Sequence, residues 1–174
     1  WRFPNKKMEA LFPLEQMGET AENIFAERPE ITREMQDEFA YNSQMRAKAA
    51  IETGRFKDET VPVVIPQKKG DPKIVDTDER PRRDTSMESL AKLKPVFKAD
   101  GKVTAGNAST MNDGAAAVVI SSRAYAEKKR LKPLARIIGY AQAALEPKYL
   151  FAAPAHAMPK LLKKIGWTLK DVDL

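Results

Sequence analysis

Apolar positions recur along the chain at two spacings, and each spacing predicts an element. From Gly18 to Arg28, Ala21, Ile24 and Phe25 fall on one side of a helix that Pro29 ends. Thr32 is the predicted N-cap of a second helix running to about Thr53, with Glu34 in its first turn and Gly54 as its stop. On that helix Met35, Phe39, Ser43, Ala47 and Ala50 share a face, and the small residues of its second half invite close packing. Asp37, Glu38, Arg46 and Lys48 are expected on the solvated side. Val61–Ile65 reads as a short edge strand because of Pro62, with 73–76 as a returning strand. Further helices are predicted over 85–93, with Met87, Leu90 and Leu93 inward, and over 122–129. Another is predicted over 155–165, with Leu161, Leu162 and Ile165 inward and Gly166 as its stop. Residues 1–16 read as loop, with Asn5 in a turn and Ala10, Leu11, Phe12 and Leu14 covering a core or a cleft.

One stretch changes character within a few residues. Thr104, Gly106, Asn107, Ser109, Asn112, Asp113 and Gly114 are polar or small, and Ala115–Ile120 is a continuous apolar run. Such a run predicts a central strand covered on both faces. Gly106 and Gly114 would let the backbone before it come close to a ligand, although a tight turn ahead of a buried strand fits the same residues. Leu134–Ala141 is a second predicted strand and Leu169–Leu174 begins another. Strand, helix, strand at this spacing suggests a βα-type unit in a layered α/β domain.

Composition narrows the chemistry. The chain has 174 residues, 43% hydrophobic and 31% charged, which is ordinary for a globular protein with a sizeable core. No apolar run approaches the roughly 18 residues of a membrane helix. Trp1-Arg-Phe-Pro is neither a start nor a signal segment, as expected of a fragment or processed chain. There is no cysteine, so within these residues disulfides, cysteine metal sites and cysteine nucleophiles are excluded. A formal charge of +6 favours anionic partners, whether phosphate groups, nucleic acid or a membrane surface. Arg80, Arg82 and Arg83, followed by Thr85 and Ser86, have the forked donors that hold a phosphate. A surface loop neutralised by Asp78, Glu79 and Asp84 fits the same residues. His156 is the only histidine, and without partners it is expected to be a structural or surface residue.

Several motifs in order resemble those of the thiolase family, the acetyl-CoA acetyltransferases and 3-ketoacyl-CoA thiolases. They are Met17-Gly-Glu-Thr-Ala-Glu-Asn23, Thr32-Arg-Glu-Met-Gln-Asp-Glu-Phe-Ala40, Gly54-Arg-Phe-Lys-Asp-Glu59, Ser89-Leu-Ala-Lys-Leu-Lys-Pro95, Thr104-Ala-Gly-Asn-Ala-Ser109 with Asn112-Asp-Gly-Ala-Ala-Ala117, and Asp171-Val-Asp-Leu174. The resemblance implies a thiolase-like layered α/β fold, of which the chain would hold the loop domain and the junction of the two core halves. Residues 1–112 would be the coenzyme A-binding loop domain. Residues 113–132 would be the last strand and helix of the N-terminal half, and 133–174 the start of the C-terminal half. Two departures stand out: Gln16 where a His often precedes Met-Gly, which is closer to the broad-chain degradative branch, and Leu150 with Phe151-Ala-Ala-Pro154 in place of a more usual M-G-x-G-P.

The resemblance also implies a site. Anchored on Ala91–Pro95, the Arg and Ser that hold the 3′-phosphate ADP part of coenzyme A fall at Arg82 and Ser89, near a helix N-terminus that favours anions. Phe97, Ala105 and Ser109 would lie along the pantetheine arm and Met111 near the acyl end, with Met17 also counted at the site. The implied reaction is thiolytic cleavage of a 3-ketoacyl-CoA or Claisen condensation of two acyl-CoA units through an acyl-cysteine. Catalysis would use a nucleophilic Cys, a His, a second Cys and an Asn-Glu-Ala-Phe motif, none of them in this chain, so the chain alone is expected to be inactive. Coenzyme A and acyl-CoA would be substrates, with no tightly bound cofactor and no metal. The full-length protein is expected to be a homodimer or homotetramer, cytoplasmic, with any organelle-targeting segment ahead of Trp1, and with no nucleic-acid or membrane partner. Two alternatives stay open: a non-catalytic acyl-CoA or lipid-carrier homologue, and a basic nucleic-acid-binding module centred on Arg80, Arg82 and Arg83. The few aromatics are not interleaved with those bases as a stacking surface requires.

Overall fold

The computed structural model describes residues 4–174. The chain divides into two compact units, one formed by 25–108 and the other by 1–24 with 109–174. Each is described by itself.

In the 25–108 unit the long helix α3 (Arg33–Glu52) starts where the sequence places it, with the Thr32 hydroxyl accepting the Met35 N–H at 3.2 Å. In its first half the inner face is not the one the apolar spacing indicates. Met35 and Phe39 are exposed, Phe39 by 78%, whereas Asp37 is only 2% exposed. The half-buried or buried positions are 33, 36, 37, 40, 41, 44, 45, 47, 48, 50 and 51, so the first half of the helix turns a face rotated from the expected one inward, while Ala47 and Ala50 of the expected face are half-buried. A charge tolerates that face because its hydrogen bonds are met there, as shown below. After α3, β1 (Val63–Ile65) pairs antiparallel with β2 (Lys73–Val75) in the register Val63↔Val75, Val64↔Ile74 and Ile65↔Lys73. Pro62 sits just ahead of β1, where its missing N–H costs no ladder bond.

Helix α4 (Met87–Ala91) is shorter than the expected 85–93. Ser86 and Ser89 cap it reciprocally: each backbone N–H is accepted by the other's hydroxyl at 3.1 Å. Of its expected inward residues only Leu90 is buried, and Met87 and Leu93 stay partly exposed. An isolated bridge joins Pro95 to Thr104, and the Val96 N–H donates to the Val103 carbonyl at 3.0 Å. Leu90, Val103 and Thr104 form the buried centre of this unit.

In the other unit the regular elements among the described residues are helices. Residues 6–11, expected as loop, form α1 (Lys6–Leu11). The Asn5 side chain that suggests a turn accepts the Lys7 and Met8 N–H groups and so starts a helix. Leu11 and Leu14 are exposed rather than covering a core. Helix α2 (Met17–Glu27) begins in this unit and reaches into the other. Thr20 donates to the Met17 carbonyl at 2.7 Å, and the Asn23 amide donates to the Glu15 carboxylate and to the Lys148 carbonyl. Helix α5 (Arg123–Lys128) is capped by Ser122. Helix α6 (Ala153–Ile165) follows a 3-10 segment, Pro147–Ala152, and ends at Gly166 in the left-handed conformation, φ 74°. His156 lies exposed on α6.

The strands expected at 115–120, at 134–141 and from Leu169 do not form among the described residues. Residues 115–120 run without backbone pairing to described residues, and Val119 is 98% exposed. Residues 134–141 lie along α6, where a Cβ on Gly139 would come within 2.8 Å of Ile165 Cγ2. Leu169–Asp171 is a 3-10 turn closed by Thr168 and Asp171. An apolar run signals burial, but a strand needs a neighbour to complete its ladder, and none of the described residues supplies one.

Candidate functional site

The arginine segment is open. The side chains of Arg80, Arg82 and Arg83 are exposed, and among the described residues no carboxylate pairs with them. Neutralisation by Asp78, Glu79 and Asp84 is therefore not what the structure shows. Asp78 instead accepts the Arg80 backbone N–H at 2.9 Å, and the Gln44 side chain of α3 accepts the Arg82 backbone N–H at 2.8 Å. The turn is closed by Thr85, whose hydroxyl donates to the Arg82 carbonyl at 2.9 Å. The Arg82 backbone is thus anchored on α3 while its guanidinium keeps all its donors for a ligand.

Ser89 is less available. Its hydroxyl donates to the Ser86 carbonyl at 2.8 Å and accepts the Ser86 N–H at 3.1 Å. One lone pair remains, so Ser89 accepts a further bond freely but donates to a phosphate only by releasing Ser86. The expected anion-binding N-terminus is not built either: α4 has five residues, and its cap is satisfied from within. Phe97 is half-buried in the bend beyond the Pro95–Thr104 bridge, and Ala105 is exposed just after that bridge.

Arg82, Ser89, Phe97 and Ala105 all belong to the 25–108 unit, whereas Met17, Ser109 and Met111 belong to the other. Met17 opens α2 with an exposed side chain, and Met111 is 95% exposed in the unpaired stretch.

Three residues that carry no expected chemistry join the site's frame. Asp37 Oδ2 accepts from Arg33 Nε at 2.7 Å, and Asp37 Oδ1 accepts from Asn107 Nδ2 at 2.9 Å. Arg33 also donates to the Leu90 and Leu93 carbonyls at 2.8 and 3.0 Å. Their signal was the pairing of Arg33 with Asp37 four residues on, which the reading of Asp37 as solvated obscured. No cluster of metal ligands occurs among the described residues. No helix among them is long and apolar enough to cross a membrane.

Residues 5–124 match the model of the thiolase N-terminal domain, and residues 131–174 that of the thiolase C-terminal domain. The chain belongs to the thiolase family. Among its thiolase relatives, a beta-ketoadipyl-CoA thiolase of Acinetobacter baylyi is 51% identical over 174 residues, covering 100% of this chain and 43% of the relative. An acetyl-CoA acetyltransferase of Pseudomonas aeruginosa is 54% identical over 158 residues, covering 91% and 40%. The crystal structure of the Bacillus anthracis acetyl-CoA acetyltransferase superposes with a TM-score of 0.84 at 49% identity, over 93% of this chain and 41% of that one. Human mitochondrial 3-ketoacyl-CoA thiolase superposes with a TM-score of 0.81 at 45% identity, over 91% and 40%. The fold is that of the thiolases, and the chain spans about two fifths of the length of these relatives.

Proposed function

We propose that this chain is the coenzyme A-binding part of a thiolase-family acyltransferase. The parent reaction is thiolytic cleavage of a 3-ketoacyl-CoA or Claisen condensation of two acyl-CoA units through an acyl-cysteine. The observation that carries the reading is the exposed, unpaired guanidinium of Arg82, anchored through its backbone to α3 in a chain of this family. In this reading Arg82 takes the 3′-phosphate of the ADP part as a forked donor, and Ser89 lies beside it. Phe97 and Ala105 line the pantetheine arm, together with Ser109, Met111 serves the acyl end, and Met17 is also counted at the site. Residues 1–112 act as the loop domain, 113–132 close the N-terminal half and 133–174 open the C-terminal half.

With no cysteine among these 174 residues, no acyl-cysteine forms on them, and the isolated chain is inactive. The reading includes coenzyme A and acyl-CoA as substrates without a tightly bound cofactor, a homodimer or homotetramer, and a cytoplasmic location. Calorimetry with Arg82→Ala tests it. The variant should raise the coenzyme A Kd roughly tenfold, the low end for a charged hydrogen bond in an exposed site, and leave 3′-dephospho-coenzyme A unchanged. Equal affinity of wild type for the two ligands would remove Arg82 from the site.

A further inference from the structure

Two of the segments proposed for coenzyme A, α4 and the 104–108 turn, are joined by one polar network around the buried Asp37 carboxylate. Arg33 reaches from the first turn of α3 to the Leu90 and Leu93 carbonyls at and just beyond the C-terminal end of α4, adding a side-chain donor to the backbone N–H groups that Leu90 already accepts. Its Nε is held by Asp37, and the other oxygen of Asp37 holds the Asn107 amide. Asn107 in turn fixes both sides of its own turn. Its amide donates to the Lys102 carbonyl at 3.0 Å, and its oxygen accepts the Thr104 N–H at 2.8 Å. Thr104, 0% exposed, accepts the Gly106 N–H at 3.2 Å, and its carbonyl accepts from Ala108 at 3.0 Å. Packing follows the same line. A Cβ on Gly106 would lie 2.5 Å from Leu90 Cδ2 and 2.6 Å from Leu93 Cδ1, so the turn rests directly on α4.

Each segment is exposed at its ligand-facing residue and held from behind. Ala105 stands at the outside of the 104–108 turn, and Ser89 at the outside of α4. An apolar cluster this small does not fix two short segments to each other. Directional bonds to a buried carboxylate do, and they leave little freedom once all are made. We infer that Arg33, Asp37 and Asn107 are positioning residues that preorganise the coenzyme A site, with Asn107 setting the turn that bears Ala105. The inference rests on the proposed coenzyme A reading and names what holds that site open in its binding geometry. None of the three touches the ligand. They act by removing the ordering cost that a loose turn would charge against binding.

The test uses the whole protein that carries these residues, with two ligands: coenzyme A and adenosine 3′,5′-bisphosphate, which has no pantetheine arm. Asn107→Ala frees the turn but leaves Arg33 on α4. The expected result is a coenzyme A Kd raised about tenfold, with the bisphosphate Kd unchanged within about twofold. No change for either ligand overturns the inference. An equal rise for both also overturns it, because a general loss of structure does not distinguish the two parts of the ligand. If Asn107→Ala does not fold by circular dichroism, Asn107→Ser, too short to reach Asp37, is measured the same way with the same two outcomes. A wild-type protein that binds neither ligand refutes the coenzyme A reading itself, a result separate from either outcome with the variants.

Discussion

Residues 103–108 and 111–120 are neighbours in one stretch, and the structure treats them oppositely. In the first, Val103 and Thr104 are buried, and the polar groups of Thr104 and Asn107 are matched to partners two to seventy residues away. In the second, the backbone pairs with no described residue and the apolar side chains face outward. A polar side chain needs only one or two partners at the right distance, and α3 and α4 provide them. An apolar strand needs a neighbouring strand and a cover on each face. The contrast shows where the order of this stretch resides: in hydrogen bonds between helices and a turn, not in a strand ladder.

Removing the centre of that order has the largest effect. Asp37→Ala leaves the Arg33 guanidinium without its buried counter-charge and should destabilise by about 3–5 kcal/mol, read as a lower urea midpoint. A loss below about 1 kcal/mol would mean that the network contributes little. Gly106→Ala forces the Leu90 and Leu93 methyl groups aside and should cost about 1–3 kcal/mol in the same assay. Thr32→Ala removes the cap that starts α3 and should cost about 1 kcal/mol by thermal unfolding. At the other pole, Val119→Asp in the 174-residue chain should change stability by no more than about 0.5 kcal/mol, since the side chain is already in water. A large loss there would erase the contrast. The smallest effect concerns Asp171, whose carboxyl is held below the usual aspartate range by bonds from the Thr168 backbone and hydroxyl. Because its folded pKa is the depressed one, this turn is supported above the ordinary aspartate pKa. That support is lost as pH falls through the lowered value, and the Asp171 carboxyl resonance in an NMR titration follows it.

The helices were legible because their signals are local. Asn5 is the one cap whose result differs, since an Asn that turns the chain also starts a helix. Thr32, Ser122 and Gly166 stand at helix ends as their chemistry predicts. The strands at 115–120 and 134–141 were misplaced because apolarity reports a demand for cover, while pairing depends on residues distant in sequence. The α3 face was misjudged for a related reason. Asp37 looks solvated until Arg33 and Asn107, 70 positions apart from it in the latter case, are brought to its two oxygens. Thr20, Asn23, Asp37 and Asn107 stand in the motifs that mark the family, and their observed bonds are all structural. Motif residues thus build the frame, while Arg82, between two motifs, and Ala105, within one, are exposed and are the positions proposed for the ligand.

Amide hydrogen exchange of the whole protein, with and without coenzyme A, tests the central claim most directly. The account predicts slower exchange on binding in the segments around Arg82, Ser89, Phe97 and Ala105 of the 25–108 unit. Protection confined to other parts of the protein, with these four segments unchanged at saturating ligand, would contradict it.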